Sequence, residues 1–426
     1  MKSSRQTFSA VLFSAVLLSA YSYSQGTCAG HKRSYDGAPG FYDHTLGSPV
    51  VDLIDQTRKT LEIEIYEMDD PKVIASIRKA LKRGVKVRII KEPKPVGATC
   101  SVFEPIGSSQ KEPIGSSQNE PISSSISSLL ESPHSNQGST CEEQKQLVAD
   151  VNATPGSQYL PFKKPDLCGG GGKNCLEHGK LVISDAGTDS KKAMLSTGNF
   201  NTSNLCDLDY SPKKCNREYS YLSDESDVVQ SFLAIFEKDM LGESYEVNDA
   251  ILPSAASKIT VSPHSLAPLL TFIRSAKKEI LIENQYLKDP TLNQALVDAA
   301  ENGVSVSVIL ASACSFGKPK PSEVKKLTAI FSAFEDAGIQ LRMFNKNIKV
   351  GGKPGYLHAK AIVVDGAKAW VGSVNGSTQA LTKNREFGIF FETPSEVLKL
   401  ASKFKQDFAD PNEETWQESL VCKENH

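Results

Sequence analysis

Residues 61–90 read LEIEIYEMDDPKVIASIRKALKRGVKVRII, and residues 280–309 read ILIENQYLKDPTLNQALVDAAENGVSVSVI. Laid over one another at an offset of 219, Asp70-Pro71 meets Asp289-Pro290 and Gly84-Val85 meets Gly303-Val304. Each copy opens with alternating apolar residues (Leu61, Ile63, Ile65; Ile280, Ile282), the period of a strand. An Asp then stands where a helix is capped, with Pro at the first helical position. The amphipathic helix ends at Gly84 or Gly303. A second strand follows through Val85, Val87 and Ile89, or Val304, Val306 and Val308. The design is a βαβ unit, and it occurs twice.

A second pair of segments matches downstream. Residues 178–185 read HGKLVISD and residues 358–365 read HAKAIVVD, at an offset of 180. The two offsets differ by 39 (219 − 180), so the first copy carries extra chain between its βαβ unit and this motif. That chain is the Ser-rich tract 101–140, with the imperfect repeat FEPIGSSQ, KEPIGSSQ, NEPISSSI. Its composition offers little apolar area to offset the entropy of ordering, so a flexible surface loop is expected. The alternative is an ordered lid. Each HxK motif has the same sequel: Gly198, Asn199, Phe200, Asn201 and then Asn216-Arg217-Glu218; Gly372, Ser373, Val374, Asn375 and then Asn384-Arg385-Glu386.

On a strand, the His and Lys of HxK point to one face. His178 with Lys180, and His358 with Lys360, therefore make a set suited to a phosphodiester. An imidazole can attack phosphorus or protonate a leaving oxygen, and an ammonium holds the non-bridging oxygens. Asn201 and Asn375 can donate amide hydrogens to the same oxygens. Glu218 and Glu386 are candidates to accept the second ring N–H of each His and fix its tautomer. One HxK alone would be read as structural. Two copies with matched Asp, Gly, Asn and Glu are read as one catalytic centre. The GGGGK run at 169–173 does not have phosphate-loop spacing.

The chain has 426 residues, with 48 Lys+Arg against 50 Asp+Glu. A net charge of −2 argues against a general binder of phosphate backbones. Lys2 and Arg5 precede the apolar run from Phe8 to Ala20, and small residues follow, with cleavage expected before Gln25. Thirteen apolar residues are too few to span about 30 Å of hydrocarbon. Residues 1–24 are thus expected to be a signal peptide and the mature chain to be secreted or periplasmic. Nine cysteines fit an oxidising compartment. Cys168–Cys175 and Cys206–Cys215 are expected as local staples, and Cys100–Cys141 as the closure of the Ser-rich tract. Cys28, Cys314 and Cys422 then allow at most one further internal bridge. No CxxC pair supports zinc.

The pattern H-x-K-x4-D followed by G-[ST]-x-N, present twice, resembles the phospholipase D superfamily, over nearly all of the mature chain. The resemblance implies an α/β fold of two pseudo-symmetric α/β/α sandwich halves, residues 25–250 and 251–426, with the active site between them. It implies no metal, no cofactor and a covalent phosphohistidine. By analogy His178 is the nucleophile and His358 the leaving-group acid. Lys180, Lys360, Asn201 and Asn375 would bind the phosphate. Asp185 and Asp365 complete the motif and are expected to organise strand ends rather than move protons. Asn199 stands where the family pattern has the hydroxyl that Ser373 supplies in the second copy, which puts that contact of the first half in doubt.

Three function classes follow. The first is a phospholipase D acting as a monomer on phospholipid at a membrane or micelle surface. The second is a metal-independent nuclease of the same superfamily, with nucleic acid as partner. The third is a catalytically dead binding protein, disfavoured because both halves keep every expected residue type. Phosphatidyl transfer would use the same intermediate, with an alcohol in place of water.

Overall fold

The computed structural model describes residues 37–98, 100–104, 139–163, 175–242, 244–315 and 317–422. The expected signal peptide, Cys28, Cys168 and residues 105–138 of the Ser-rich tract lie outside the described residues.

Both βαβ units are present. Thr60–Ile65, helix Pro71–Lys82 and Lys86–Lys91 make the first; Glu279–Asn284, helix Pro290–Glu301 and Ser305–Ala311 make the second. Asp70 caps its helix by accepting from the N–H groups of Lys72 and Val73 at 2.9 and 3.1 Å. Asp289 does the same for Leu292 at 2.9 Å. The acidic caps face the positive helix ends, which favours them further.

Each unit belongs to a seven-stranded sheet, and the two sheets have the same order. The first runs Gly40–Asp43, Tyr219–Ser223, Lys192–Ser196, Lys180–Ser184, Thr60–Ile65, Lys86–Lys91, Gln158–Pro161. The second runs Ile259–Ser262, Glu386–Phe391, Lys368–Gly372, Lys360–Val364, Glu279–Asn284, Ser305–Ala311, Gln340–Phe344. In both, the βαβ strand lies between its parallel partner and the antiparallel HxK strand.

Alternation on the strands divides the buried side chains into three layers. Leu61, Ile63, Ile65, Val73 and Ile77 pack outside the first sheet. Ile280, Ile282, Leu292, Leu296 and Trp370 pack outside the second, where the Trp370 indole N–H donates to Thr260 at 3.1 Å. The third layer is shared. Leu181, Ile183 and Phe232 meet Val363, Phe387 and Phe404 in one cluster. Tyr221 stacks on Phe391 at 4.3 Å and Phe232 meets Phe387 edge-on at 5.9 Å. Burying one such aromatic contributes about 1.5–3 kcal/mol, so an apolar core joins the two sheets.

The halves also exchange backbone. Cys215–Arg217, from the first half, pairs in parallel with Lys353–Leu357, the lead-in to His358. A bridge between Glu177 and Arg385 mirrors it ahead of His178. Among the described residues three disulfides close on this frame: Cys100–Cys141, Cys206–Cys215 and Cys314–Cys422. The first two agree with the sequence reading, and the third is the one further bridge it allowed. The expected Cys168–Cys175 pair falls on a residue outside the described ones. Among the described residues no helix is long and apolar enough to cross a membrane.

Candidate active site

Each HxK strand delivers its His at one end and its Asp at the other. Asp185 and Asp365 sit at φ 52° and 54°, just past the strand. Asp185 accepts from the N–H groups of Arg58, Lys59 and Thr60 at 2.6–3.2 Å. Asp365 accepts from those of Lys277, Lys278 and Glu279 at 2.7–3.1 Å. These carboxylates dock the start of the central strand. Asp185→Ala removes a buried acceptor of three N–H groups and leaves a β-branch-free but still strained left-handed residue. A loss of about 3 kcal/mol in denaturant unfolding is expected, with kcat falling far less than for the His variants.

The two imidazoles are oriented across the halves. His178 Nδ1 donates to Glu386 at 2.8 Å, and His358 Nδ1 donates to Glu218 at 2.6 Å. Each His therefore takes its carboxylate from the other copy. The backbone is exchanged in the same sense, with His178 N–H donating to the Arg385 carbonyl at 2.8 Å and His358 N–H to that of Arg217 at 3.3 Å. With Nδ1 committed, Nε2 of each ring is the atom left to meet phosphorus or a leaving oxygen. Glu386 is held by the Asn384 amide at 3.1 Å, and Glu218 by the Thr197 hydroxyl at 2.5 Å. Gly198 has no side chain because a Cβ there would meet the Glu218 carboxyl at 2.6 Å.

Lys180 and Lys360 are fully buried. Each ammonium donates to the carbonyl of its own motif's His, and Lys360 also reaches the Thr197 carbonyl at 3.3 Å. The charges of both Lys bear on both His rings. Burial first, and these ammoniums next, hold His358 well below the usual imidazole range. Burial lowers His178 to about 4, with Glu386 pulling the other way. Burial raises Glu218 to about 7 against the pull of Lys360. Near neutrality His178 thus presents a neutral ring.

The strand register corrects the sequence alignment of the phosphate-side residues. Leu181 pairs with Leu195, and its counterpart Ala361 pairs with Val371. Counting on from there, Thr197 is the counterpart of Ser373 and Asn199 that of Asn375. The hydroxyl doubted in the first half is present, as Thr197, and Asn201 is not the partner of Asn375. Asn201 accepts from Asn204 N–H at 3.0 Å as a helix cap, matched by Ser377, which accepts from Ala380. The first hairpin is longer by four residues (195 − 181 against 371 − 361), which concealed this. The hydroxyls of Thr197 and Ser373 accept from Tyr219 and Phe387 N–H at 2.9 and 3.0 Å. They tie the HxK hairpin to the Glu strand. Asn199 and Asn375 each carry a buried amide oxygen with no partner among the described residues. A half-turn of either side chain presents its NH2 in that place.

Two buried ion pairs lock the exchange. Arg217 meets Asp407 at 2.6 Å, and Arg385 meets Asp239 at 2.8 Å. Both cross between halves. Both Arg–Asp separations are 22 residues (239 − 217 and 407 − 385), a repeat visible in the sequence but not used there. Acidic groups crowd each pair. Burial, with neighbouring carboxylates, raises Glu177 and Glu283 to about 8 and Glu413 to about 9. The native chain keeps protons that the unfolded chain releases near pH 4.5. Their contribution is complete below that pH and is lost as pH rises through 8 to 9. Denaturant unfolding is expected to show stability falling between pH 6 and pH 9; a flat or rising profile would contradict the buried-acid assignment.

Comparison with known proteins agrees with this geometry. The family model described as cardiolipin synthase, PLD-like domain matches residues 50–240 and 269–409. The chain is 28% identical over 187 residues to phospholipase D Z of Dictyostelium discoideum, covering 40% of this chain and 41% of that protein. It is 29% identical over 155 residues to the major cardiolipin synthase ClsA of Bacillus subtilis, covering 35% and 29%. The chain thus spans less than half the length of these relatives. Its fold overlays the phosphatidylserine synthase of Haemophilus influenzae Rd KW20 with a TM-score of 0.54 at 12% identity, covering 88% of this chain and 86% of that one. The two matched segments take in both HxK strands and both Asn-Arg-Glu segments that complete them, and on that match the chain belongs to the phospholipase D superfamily.

Proposed function

We propose that the chain is an exported phosphodiesterase that acts on phospholipids through a phosphohistidine. The observation that carries this is the crossed pair of His–Glu couples around one site. His178 Nε2 attacks phosphorus as the P–O bond to the headgroup alcohol breaks, and His358 gives that oxygen its proton. His358 then takes a proton from an incoming water or alcohol, whose oxygen attacks phosphorus as the P–N bond to His178 breaks. Water yields phosphatidic acid; an alcohol yields a new phosphatidyl ester. Lys180 and Lys360 neutralise the phosphoryl oxygens, with Asn199 and Asn375 as amide donors.

A lipid substrate is supported by a small, largely apolar pocket lined by Leu287, Leu310, Leu327 and Phe331, with Lys288, Lys318 and Glu323 also in its lining. It begins at Gln285, whose amide donates to the Tyr356 hydroxyl at 2.7 Å, two residues before His358. The relatives named phospholipase D and cardiolipin synthase support it as well.

The test is incubation of the mature protein with phosphatidylcholine vesicles or plasmid DNA, each with and without EDTA. Choline release that EDTA leaves unchanged, with intact plasmid, is expected, because two ammoniums serve where other phosphodiesterases use a metal clamp. Adding a primary alcohol reports the share of transfer. Plasmid cleavage without choline release would establish the nuclease reading instead. Loss of activity in EDTA, restored by a divalent ion, would overturn the mechanism.

A further inference from the structure

One cation near the site is used by neither HxK motif. Lys214 precedes the exchanged strand Cys215–Arg217, so the parallel pairing with Gly355–Leu357 carries it alongside the lead-in to His358. Its ammonium lies over the Tyr356 ring, 5.3 Å from the centroid, and that ring lies 6.3 Å from the His358 ring. Its charge acts on His358. No carboxylate among the described residues pairs with it, and burial pushes its pKa down. The Cys206–Cys215 bridge anchors the loop that presents it. The second copy has nothing equivalent: two residues before Asn384, where Lys214 precedes Asn216, stands Thr382.

A half-buried ammonium with no carboxylate partner among the described residues is open to an incoming anion. Lys180 and Lys360 already serve the scissile phosphate. Lys214 and His358 both neighbour the Tyr356 ring, at 5.3 and 6.3 Å from its centroid, so Lys214 is within reach of a group next to the scissile phosphate. It is also on one side only, the side of the leaving-group acid. We propose that Lys214 is a specificity-determining residue that binds a second phosphate on the leaving group, joined to the scissile phosphate through a short polyol, as in a polyanionic lipid headgroup. This rests on the phosphodiester reading and on His358 as the acid. The apolar cleft on the hydroxyl side of Tyr356 favours a lipid over a nucleic acid as the source of that second phosphate.

The test is calorimetric binding to the full chain carrying His178→Asn, which removes turnover from the measurement. The probes are bis(glycerophospho)glycerol, with two phosphodiesters, glycerophosphoglycerol, with one, and a thymidine trinucleotide. The two-phosphate glycerol probe is expected to bind roughly tenfold tighter than the one-phosphate probe. Lys214→Gln should abolish that advantage while changing the one-phosphate probe less than about twofold, and Lys214→Arg should keep it. With Lys214 intact, the advantage should also shrink as ionic strength rises from about 0.01 to 1 M. That salt dependence stands as an independent readout if the Gln variant folds poorly. An advantage that survives Lys214→Gln, an equal loss on both glycerol probes, or a Lys214-dependent gain confined to the trinucleotide would each overturn the proposal. If none of the three probes binds, the phosphodiester reading itself fails and takes this inference with it.

Discussion

His178→Asn and His358→Asn are each expected to lower turnover of a phosphatidyl ester by roughly four orders of magnitude, with an unchanged circular dichroism spectrum. Both rings act on one phosphate, so the double variant should be little worse than either single one. A good leaving group separates their roles. With p-nitrophenyl esters the leaving oxygen needs no proton, so His358→Asn should still release p-nitrophenolate in a burst. It should then stall with the phosphoryl group on His178, because no base remains to activate water. Mass spectrometry should locate the adduct there, and His178→Asn should show none. An adduct on His358 in the His178→Asn protein would reverse the assignment. The crossed couples make a further demand. Glu386→Gln lies in the second copy but should impair attack by His178, seen as a smaller burst rate; Glu218→Gln should spare the burst and slow the release of the adduct.

Local rules made much of this molecule readable. An Asp–Pro cap, a period of two switching to 3.6 and back, and a closing Gly are short-range signals, and the repeat confirmed each by showing it twice. The HxK residues were readable for the same reason, since strand alternation fixes which side chains share a face. What the sequence did not reveal depends on how the two copies meet. Glu218 was a candidate to hold a His, but nothing local says that the His is 140 residues away in the other half. Thr197 was missed because alignment by motif counts residues, whereas a sheet counts hydrogen-bonded pairs, and the first hairpin is longer by four. Lys214 carries no motif and stands out only once the strand beside it is seen to pair with the lead-in to His358. The Arg–Asp pairs lie between these cases. Their equal spacing was on the page, but a buried Asp on an amphipathic helix looks like an exposed one until its partner is placed.

Arg385→Ala is expected to cost the fold about 3–5 kcal/mol, the largest loss of stability from any single polar residue here. The guanidinium is 2% exposed and meets Asp239 through two contacts, Nε to Oδ2 at 2.8 Å and Nη2 to Oδ1 at 3.0 Å. It also donates to the Ser262 carbonyl at 2.8 Å and the Tyr245 hydroxyl at 3.2 Å. Removing it leaves Asp239 charged, buried and close to Glu64 and Glu177, which its charge had helped to tolerate. Much of the loss is therefore the cost of an orphaned carboxylate and not the worth of the pair. Arg385→Met combined with Asp239→Leu removes both charges and should recover a large part of the stability. Activity separates the two effects. The same short segment supplies the carbonyl that holds His178 and the carboxylate that orients it. The apolar double variant should thus regain stability without regaining full turnover. A single variant that loses less than about 1 kcal/mol would mean that the shared apolar core alone joins the halves. A double variant as unstable as the single one would mean that the ion pair is favourable in its own right.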